Sequence, residues 1–380
     1  MALTGNKGEW SEVYTFFKLL ATGQMDVADE ELNAVPGEFY KILEILRTEA
    51  KCENRYIRHD DNISIIVAGP DDTPLELSIS VEKFTNNAAK LLQHLKVGKG
   101  RSLQFPDIEN FMTEIQMFSV KDCTHKRDIT IRIEDFHCGL AHTLGFSIKS
   151  FLGKDSTLFN AGAGTNFIYE ICLPEGVSLD IDQFNAETYQ SQKISQRIMR
   201  LENEYGASLI FRGTQSSTLH QNLLMIDGLL PDVLSALLLT RYRYGISSVK
   251  DCITKLSQDN PLKVDIKRYT HFYEYKIKRF LQDVAMGMTP ETVWSGIYDA
   301  TGGQIIVKES GDIVCYHIYE LNRFMDFLIN STRFEQSATS EDENNPGHAE
   351  QNAKKPFKYG WVYENDGKYY IKINLQIRFK

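Results

Sequence analysis

An aspartate and a lysine some twenty residues apart carry the first sign of chemistry in this chain. Asp128 opens the segment Asp128-Ile-Thr-Ile-Arg-Ile-Glu-Asp135, and Lys149 stands near the end of Leu144-Gly-Phe-Ser-Ile-Lys149-Ser150. Both segments alternate or run apolar and are rich in Ile, Phe and Thr, the pattern of strands. Folded as a hairpin, they bring a carboxylate and an ammonium to one end of a buried sheet. A charge there is costly unless it is paired or binds a metal. A carboxylate for a hard cation, beside a lysine for a phosphoryl oxygen or a water, is the equipment of metal-assisted phosphodiester hydrolysis.

An Asp followed at this distance by a strand ending x-x-Lys has the general PD-(D/E)xK nuclease arrangement. Two positions depart from it: Arg127 stands where proline is usual, and Ser147 where the second acid belongs. Pro70-Asp71 and Pro106-Asp107 are followed by no acid-x-Lys strand, so they read as a turn and a helix start. Serine supplies no anionic ligand, and a second carboxylate must come from elsewhere. Glu12 and Glu9, at a core-facing edge of the first helix, are preferred, with Glu170 on a later strand as the third choice. Each also reads as an ordinary solvated glutamate. Cys123, His125, His137, Cys138 and His142 offer a competing zinc reading. Only His137 and His142 approach a ligand spacing, and core cysteines with surface histidines are the default. Gly162-Ala-Gly164 lacks the G-K-[ST] ending of a phosphate loop.

The elements that must position these residues follow from the rest of the chain. Gly8 to Ala21 carries Val13, Phe16, Phe17 and Leu20 at helical spacing. A second helix is expected over Gly37–Glu49, strands over Ile63–Val67 and Leu75–Ser80, a helix from Val81 to Leu95 and another after Pro106. Beyond the Asp128–Lys149 pair come a Gly/Ser/Asn loop (153–165), a strand from Asn166, a helix over Tyr189–Tyr205 and a strand from Ser208. A buried helical pair broken at Pro231 covers Leu219–Thr240, and Tyr273–Val284 is helical. The pattern then turns to strands at Gln304–Lys308, Asp312–Tyr319 and Lys368–Phe379, with a polar, disordered loop over 336–355. This predicts an α/β fold with a mixed central sheet flanked by helices and carrying helical and β-rich additions. Four regions are expected: 1–117 helical, with the acid-bearing helix; 118–215 the central catalytic sheet; 216–295 helical, for DNA binding and dimerisation; 296–380 β-rich.

The totals narrow the class. The chain has 380 residues, 42% of them hydrophobic, enough for a substantial core. Its six cysteines are scattered without a C-x-x-C pair and its start is not signal-like, which predicts a reduced, cytoplasmic protein. The longest apolar run, near Val233–Leu239, is too short for a bilayer, and no membrane partner is expected. A net charge of −9 opposes nucleic-acid binding when taken alone. The charge is uneven, however: Arg241–Arg279 holds ten basic against four acidic residues, and Lys354–Lys380 seven against two. Arg241, Arg243, Lys267 and Arg268 are the candidate DNA contacts in the first of these stretches. Arg241-Tyr-Arg-Tyr244 reads equally as a helix C-terminus favouring cations and closed by Gly245.

Several short segments, taken in order, resemble the HpaII family of type II restriction endonucleases. They are Asn6-Lys-Gly-Glu-Trp-Ser-Glu12, Gly145-Phe-Ser-Ile-Lys-Ser150, Thr157-Leu-Phe-Asn160, Thr165-Asn-Phe167, Asn222-Leu-Leu, Gly302-Gly303, Cys315-Tyr-His317 and Ile373-Asn-Leu-Gln-Ile-Arg-Phe379. The likeness spans nearly the whole chain. It implies a Mg²⁺-dependent endonuclease that cuts both strands of a short palindrome in double-stranded DNA, with CCGG the namesake specificity. It further implies Asp128 as metal ligand, Lys149 as the group that orients the water and stabilises the phosphorane, Ser147 at the altered acid position, and Glu12 or Glu9 as the helix carboxylate. A palindromic site suits a two-fold homodimer, and a bacterial cytosine DNA methyltransferase is the expected functional companion. A structure-specific repair endonuclease and a non-catalytic DNA-binding protein with a decayed site are the competing readings.

Overall fold

The structure, a computed structural model, describes the chain apart from residues 1, 50, 51, 69–73, 101, 122–126, 154, 155, 190, 299 and 337–358. Two compact units emerge, Met1–Ser156 with Ile297–Phe327, and Thr157–Gly296 with Leu328–Lys380.

The first unit begins with α1 (Lys7–Thr22), β1 (Gln24–Ala28), β2 (Ala34–Glu49), β3 (Cys52–Arg58), β4 (Asn62–Ala68) and β5 (Pro74–Ser80). It continues through α2 (Val81–Val97), α3 (Pro106–Glu114), β6 (Ile129–Glu134) and β7 (Ala141–Ser150), and returns with β11 (Gly303–Val307) and β12 (Ile313–His317). The strands form one sheet in the order β1-β12-β11-β7-β6-β2-β3-β4-β5. The β1–β12 and β11–β7 pairs are parallel and the others antiparallel.

Apolar spacing on α1 buries Trp10, Val13, Phe17 and Leu20 in the same core as Ile129, Ile131, Ile133 and Phe146 of the hairpin. Phe17 meets Phe84 and Phe111 edge to face at 6.1 and 5.2 Å. Each such Leu or Phe contributes roughly 1.5–3 kcal/mol by leaving water. The helix, and with it the acids of its first two turns, is thereby pinned to the sheet.

Residues 37–49, expected to be helical, lie within the sixteen-residue strand β2. Their apolar residues mimic helical spacing because a register shift between Ile42 and Glu44 interrupts the two-residue alternation. Tyr40 and Ile42 precede the shift and Ile45 follows it, so a three-residue step appears within a strand. Residues 1–117, expected to be helical, hold five strands beside their three helices. The hairpin itself matches expectation, with Ile129 opposite Phe146 and Ile131 opposite Leu144.

In the second unit β10 (Ser208–Thr214), β9 (Asn166–Cys172), β15 (Lys368–Asn374) and β14 (Val362–Asn365) form an antiparallel sheet in that order. A smaller sheet joins β13 (Thr332–Phe334), β16 (Ile377–Phe379) and β8 (Thr157–Phe159), the last inside the segment expected to be loop. Helices α4 (Ile181–Ala186), α5 (Lys193–Asn203), α6 (Ser217–Ile226), α7 (Leu230–Tyr244), α8 (Val249–Asp259) and α9 (Phe272–Ala285) complete it. Pro231 lies in the first turn of α7, where its missing N–H costs nothing. The chain enters this unit for the second time through α10 (Leu321–Ser331). Nearly all of the polar loop expected over 336–355 lies outside the described residues. Among the described residues no single helix is long and apolar enough to cross a membrane.

Candidate active site

Asp128 lies one residue before β6, its N–H donating to Phe146 O at 3.0 Å. Its Oδ2 accepts from the Ile148 N–H at 2.6 Å and from Ser147 Oγ at 3.0 Å. The carboxylate is therefore held by the strand that carries the lysine. Lys149 follows Ser147 by two residues on β7, so both side chains leave the same face of the sheet. Half-buried Lys149 has no hydrogen bond or ion pair among the described residues.

The opening helix completes the constellation. Asn6 caps α1 through a reciprocal box: its Oδ1 accepts from Glu9 N at 3.0 Å, and Glu9 Oε2 accepts from Asn6 N at 2.8 Å. The other Glu9 oxygen pairs with Lys121 at 2.8 Å. Glu9 is thus engaged in capping and in that ion pair, and despite partial burial Lys121 and the Asn6 N–H hold its carboxyl below the usual range. Glu12 lies one turn further on. Burial, and then the negative charge of Asp128, push its carboxyl up to about 8, against the opposing pull of Lys121 and Arg47. Asp128 and Glu12 are therefore near enough for their charges to interact, and Lys121 feels Glu9, Glu12 and Asp128 together.

Lys121 and Arg47 were not legible from the sequence. Lys121 sits in a connector with no periodic pattern. Arg47 lies in the segment read as helix, where it pairs with Glu49 at 2.7 Å and donates to Ser119 O at 2.7 Å.

Glu170 belongs to a different unit and has cationic partners of its own. It lies on β9 of the second unit, paired with Arg212 at 2.8 Å and Lys368 at 3.2 Å, and those cations lower its pKa. Of the four candidate DNA contacts, Arg241 is buried over the Tyr242 and Phe334 rings. Arg243 is clasped by Glu202 through two nitrogens, at 2.9 and 2.6 Å. Lys267 and Arg268 are exposed. The helix-terminus reading of Arg241-Tyr-Arg-Tyr244 fits these placements, with Gly245 in the left-handed C-cap conformation.

The donor set suits a small divalent cation. Burial, and after it the charge of Asp128, disfavour the ionised form of Glu12, and a hard cation bound by these carboxylates would offset that penalty. Magnesium keeps several waters and needs only one or two carboxylates plus substrate oxygens. Among the described residues no group of three or more His, Cys, Asp or Glu is arranged around a metal. Of the zinc candidates, Cys123 and His125 lie outside the described residues, His137 Nδ1 contacts Asp135 at 3.1 Å, and Cys138 is exposed with a free thiol.

Several of the recurrent segments turn out to be structural. Asn222 donates to Thr289 O and Thr292 O and accepts from Trp294 N. Asn374 binds Gly162 O, Thr165 Oγ1 and Asn166 Oδ1. A Cβ at Gly302 would strike the Phe146 ring of β7, and one at Gly303 the Tyr316 carbonyl of β12, so the glycine pair lets the start of β11 lie close between those two strands.

Comparison with known proteins gives the family. The family described as HpaII restriction endonuclease matches residues 6–379. The type II restriction enzyme HpaII of Haemophilus parainfluenzae is 36% identical over 378 residues, covering 99% of this chain and 98% of that protein. No solved structure matches. With both ends of the chain and the Asp128–Lys149 hairpin inside these matches, the protein belongs to the HpaII restriction endonuclease family.

Proposed function

We infer that this enzyme, a type II restriction endonuclease by family, hydrolyses both strands of a short palindrome, CCGG, in a Mg²⁺-dependent reaction. The observation that carries the reading is the Asp128 carboxylate held at Ser147 and Ile148 by the strand that bears Lys149, with Glu12 near enough to feel its charge. Asp128 and Glu12 would hold the metal, with Ser147 Oγ and the Ile148 N–H fixing the Asp128 carboxylate. The cation would supply charge screening at the phosphate and a bound water of lowered pKa. Lys149 orients the attacking water and neutralises charge developing on the phosphoryl oxygens, an electrostatic role suited to a partly desolvated ammonium. Lys121 occupies Glu9 in an ion pair and tempers the repulsion between Glu12 and Asp128.

A palindrome requires two such centres related by a two-fold axis, so the working form is a homodimer. The helical region 216–295 would contribute to DNA binding and dimerisation, with Lys267 and Arg268 as the exposed cations there. A cytosine methyltransferase in the same bacterial cytoplasm would protect host DNA.

Digestion of unmethylated phage DNA with Mg²⁺, with the fragment ends sequenced, tests the reading. Discrete bands sharing one end sequence are expected. A smear would instead indicate a structure-specific repair nuclease, and intact DNA a binding protein with a decayed site.

A further inference from the structure

Beside the catalytic strand the first unit carries an open cleft of about 1170 Å³. Its walls are the start of α1, the end of α2 with the turn that follows, and the end of β7 with the loop beyond it. Lys7, Lys96 and Lys99 line it with Ser150 and Ser156, and none of its described lining residues is acidic. That sign runs against a chain whose net charge is −9. The cleft also shares its elements with the centre above: Ser150, on the opposite face of the strand from Lys149, closes β7, and Lys7 opens α1 five residues before Glu12.

The details suit an extended anion. Lys7 Nζ donates to Leu152 O at 3.2 Å and Lys96 Nζ to Ser310 O at 3.1 Å, so each ammonium keeps donors to spare. Ser156 Oγ, screened from solvent in the wall, has no hydrogen-bond partner among the described residues. At Gly100, φ is +110° and nothing lies within 4 Å of the position a Cβ would take, so backbone is open to a ligand there.

We propose that this cleft seats the DNA backbone next to the scissile phosphate, with Lys96 and Lys99 as substrate-positioning residues. The assignment rests on the nuclease reading and adds where the cut strand runs: over the end of β7, between α1 and the α2 turn. Contacts of this kind carry no base information. They fix register on the duplex and make binding salt-dependent.

The test is the doubly substituted Lys96→Ala/Lys99→Ala enzyme, measured for cleavage and for binding in Ca²⁺ across a salt series. Both lysines are exposed, so folding is unaffected. Two lost phosphate contacts per subunit flatten the log K against log salt slope by about 2 per subunit and raise KM roughly tenfold at ordinary salt. The effect falls on KM rather than on kcat, and Lys96→Arg/Lys99→Arg restores it. An unchanged slope and KM overturn the proposal, as does a loss confined to kcat. Sequence-specific cleavage by the wild-type enzyme in the same assay keeps the nuclease reading intact whichever way the cleft result falls.

Discussion

The proposed reaction centre is economical: one carboxylate locked by its neighbouring strand, one carboxyl held half-buried on a helix, and one lysine. Asp128→Asn and Lys149→Ala should each lower the cleavage rate by at least about a thousandfold, the scale of a lost electrostatic stabiliser. Ca²⁺-supported binding to the specific site should survive the Lys149 change. Wild-type turnover in either variant would remove these residues from the mechanism. Glu12→Gln should impair cleavage far more than Glu170→Gln, whose native carboxylate is already held by Arg212 and Lys368. The raised Glu12 carboxyl also sets a pH dependence. Metal must displace its proton below about 8, so divalent affinity should climb up to tenfold per pH unit toward that value and then level. Calorimetric Ca²⁺ titration in two buffers measures both the affinity and the released proton, and a pH-independent affinity would contradict the assignment. The sign for stability is opposite. A group raised in the fold stabilises fully below its unfolded pKa near 4.5 and has lost that contribution once pH has risen through about 8, so metal-free protein weakens as pH climbs between those values and Glu12→Gln flattens the loss. Asp128 and Lys149 were readable because a charge at the end of an apolar strand stands out against its alternation. Lys121 was not, since a lysine in an unpatterned connector looks like any solvated one.

At the scale of elements, the hairpin is secured at the end away from Asp128 as well. The turn after β6 carries Asp135, whose Oδ1 accepts from His137 N at 2.7 Å, and His317 of β12 lies buried against Tyr40 of β2, ring centroids 5.0 Å apart. Tyr40 in turn donates to Glu320 Oε1 at 3.2 Å. Burial lowers the His317 pKa to about 4, with Asp135 opposing and His137 and His142 reinforcing the shift. A histidine kept neutral in the fold stabilises above its unfolded pKa near 6.5, and that contribution drains away as pH falls toward about 4. Acid unfolding should therefore begin below about pH 6.5, by up to about 1.4 kcal/mol per unit. His317→Phe should flatten that limb while forfeiting the acceptor that caps Tyr319 N at 3.2 Å. An unaltered acid limb in the variant would place the sensitivity elsewhere. Strands and helices with clean periodicity were readable here, among them α1, α2 and the β6–β7 hairpin. β2 was not, because a single register shift converts strand alternation into apparent helical spacing.

For the whole molecule, sequence order and sheet order part company. β7 pairs on one side with β6, its neighbour in sequence, and on the other with β11, more than one hundred and fifty residues downstream. No local pattern announces such a partner, so the hairpin was legible and the sheet it sits in was not. A chain ended at residue 302 should neither cut DNA nor show the native thermal transition, and addition of the missing segment as a separate peptide should at best restore both in part. Cleavage by the shortened chain would show that β11 and β12 are dispensable. Until the ribosome has delivered those late strands, the lysine-bearing strand remains an open edge. Synthesis therefore imposes a delay of its own: destructive capacity arises only when translation is nearly finished, and the host chromosome is spared the attention of half-made copies.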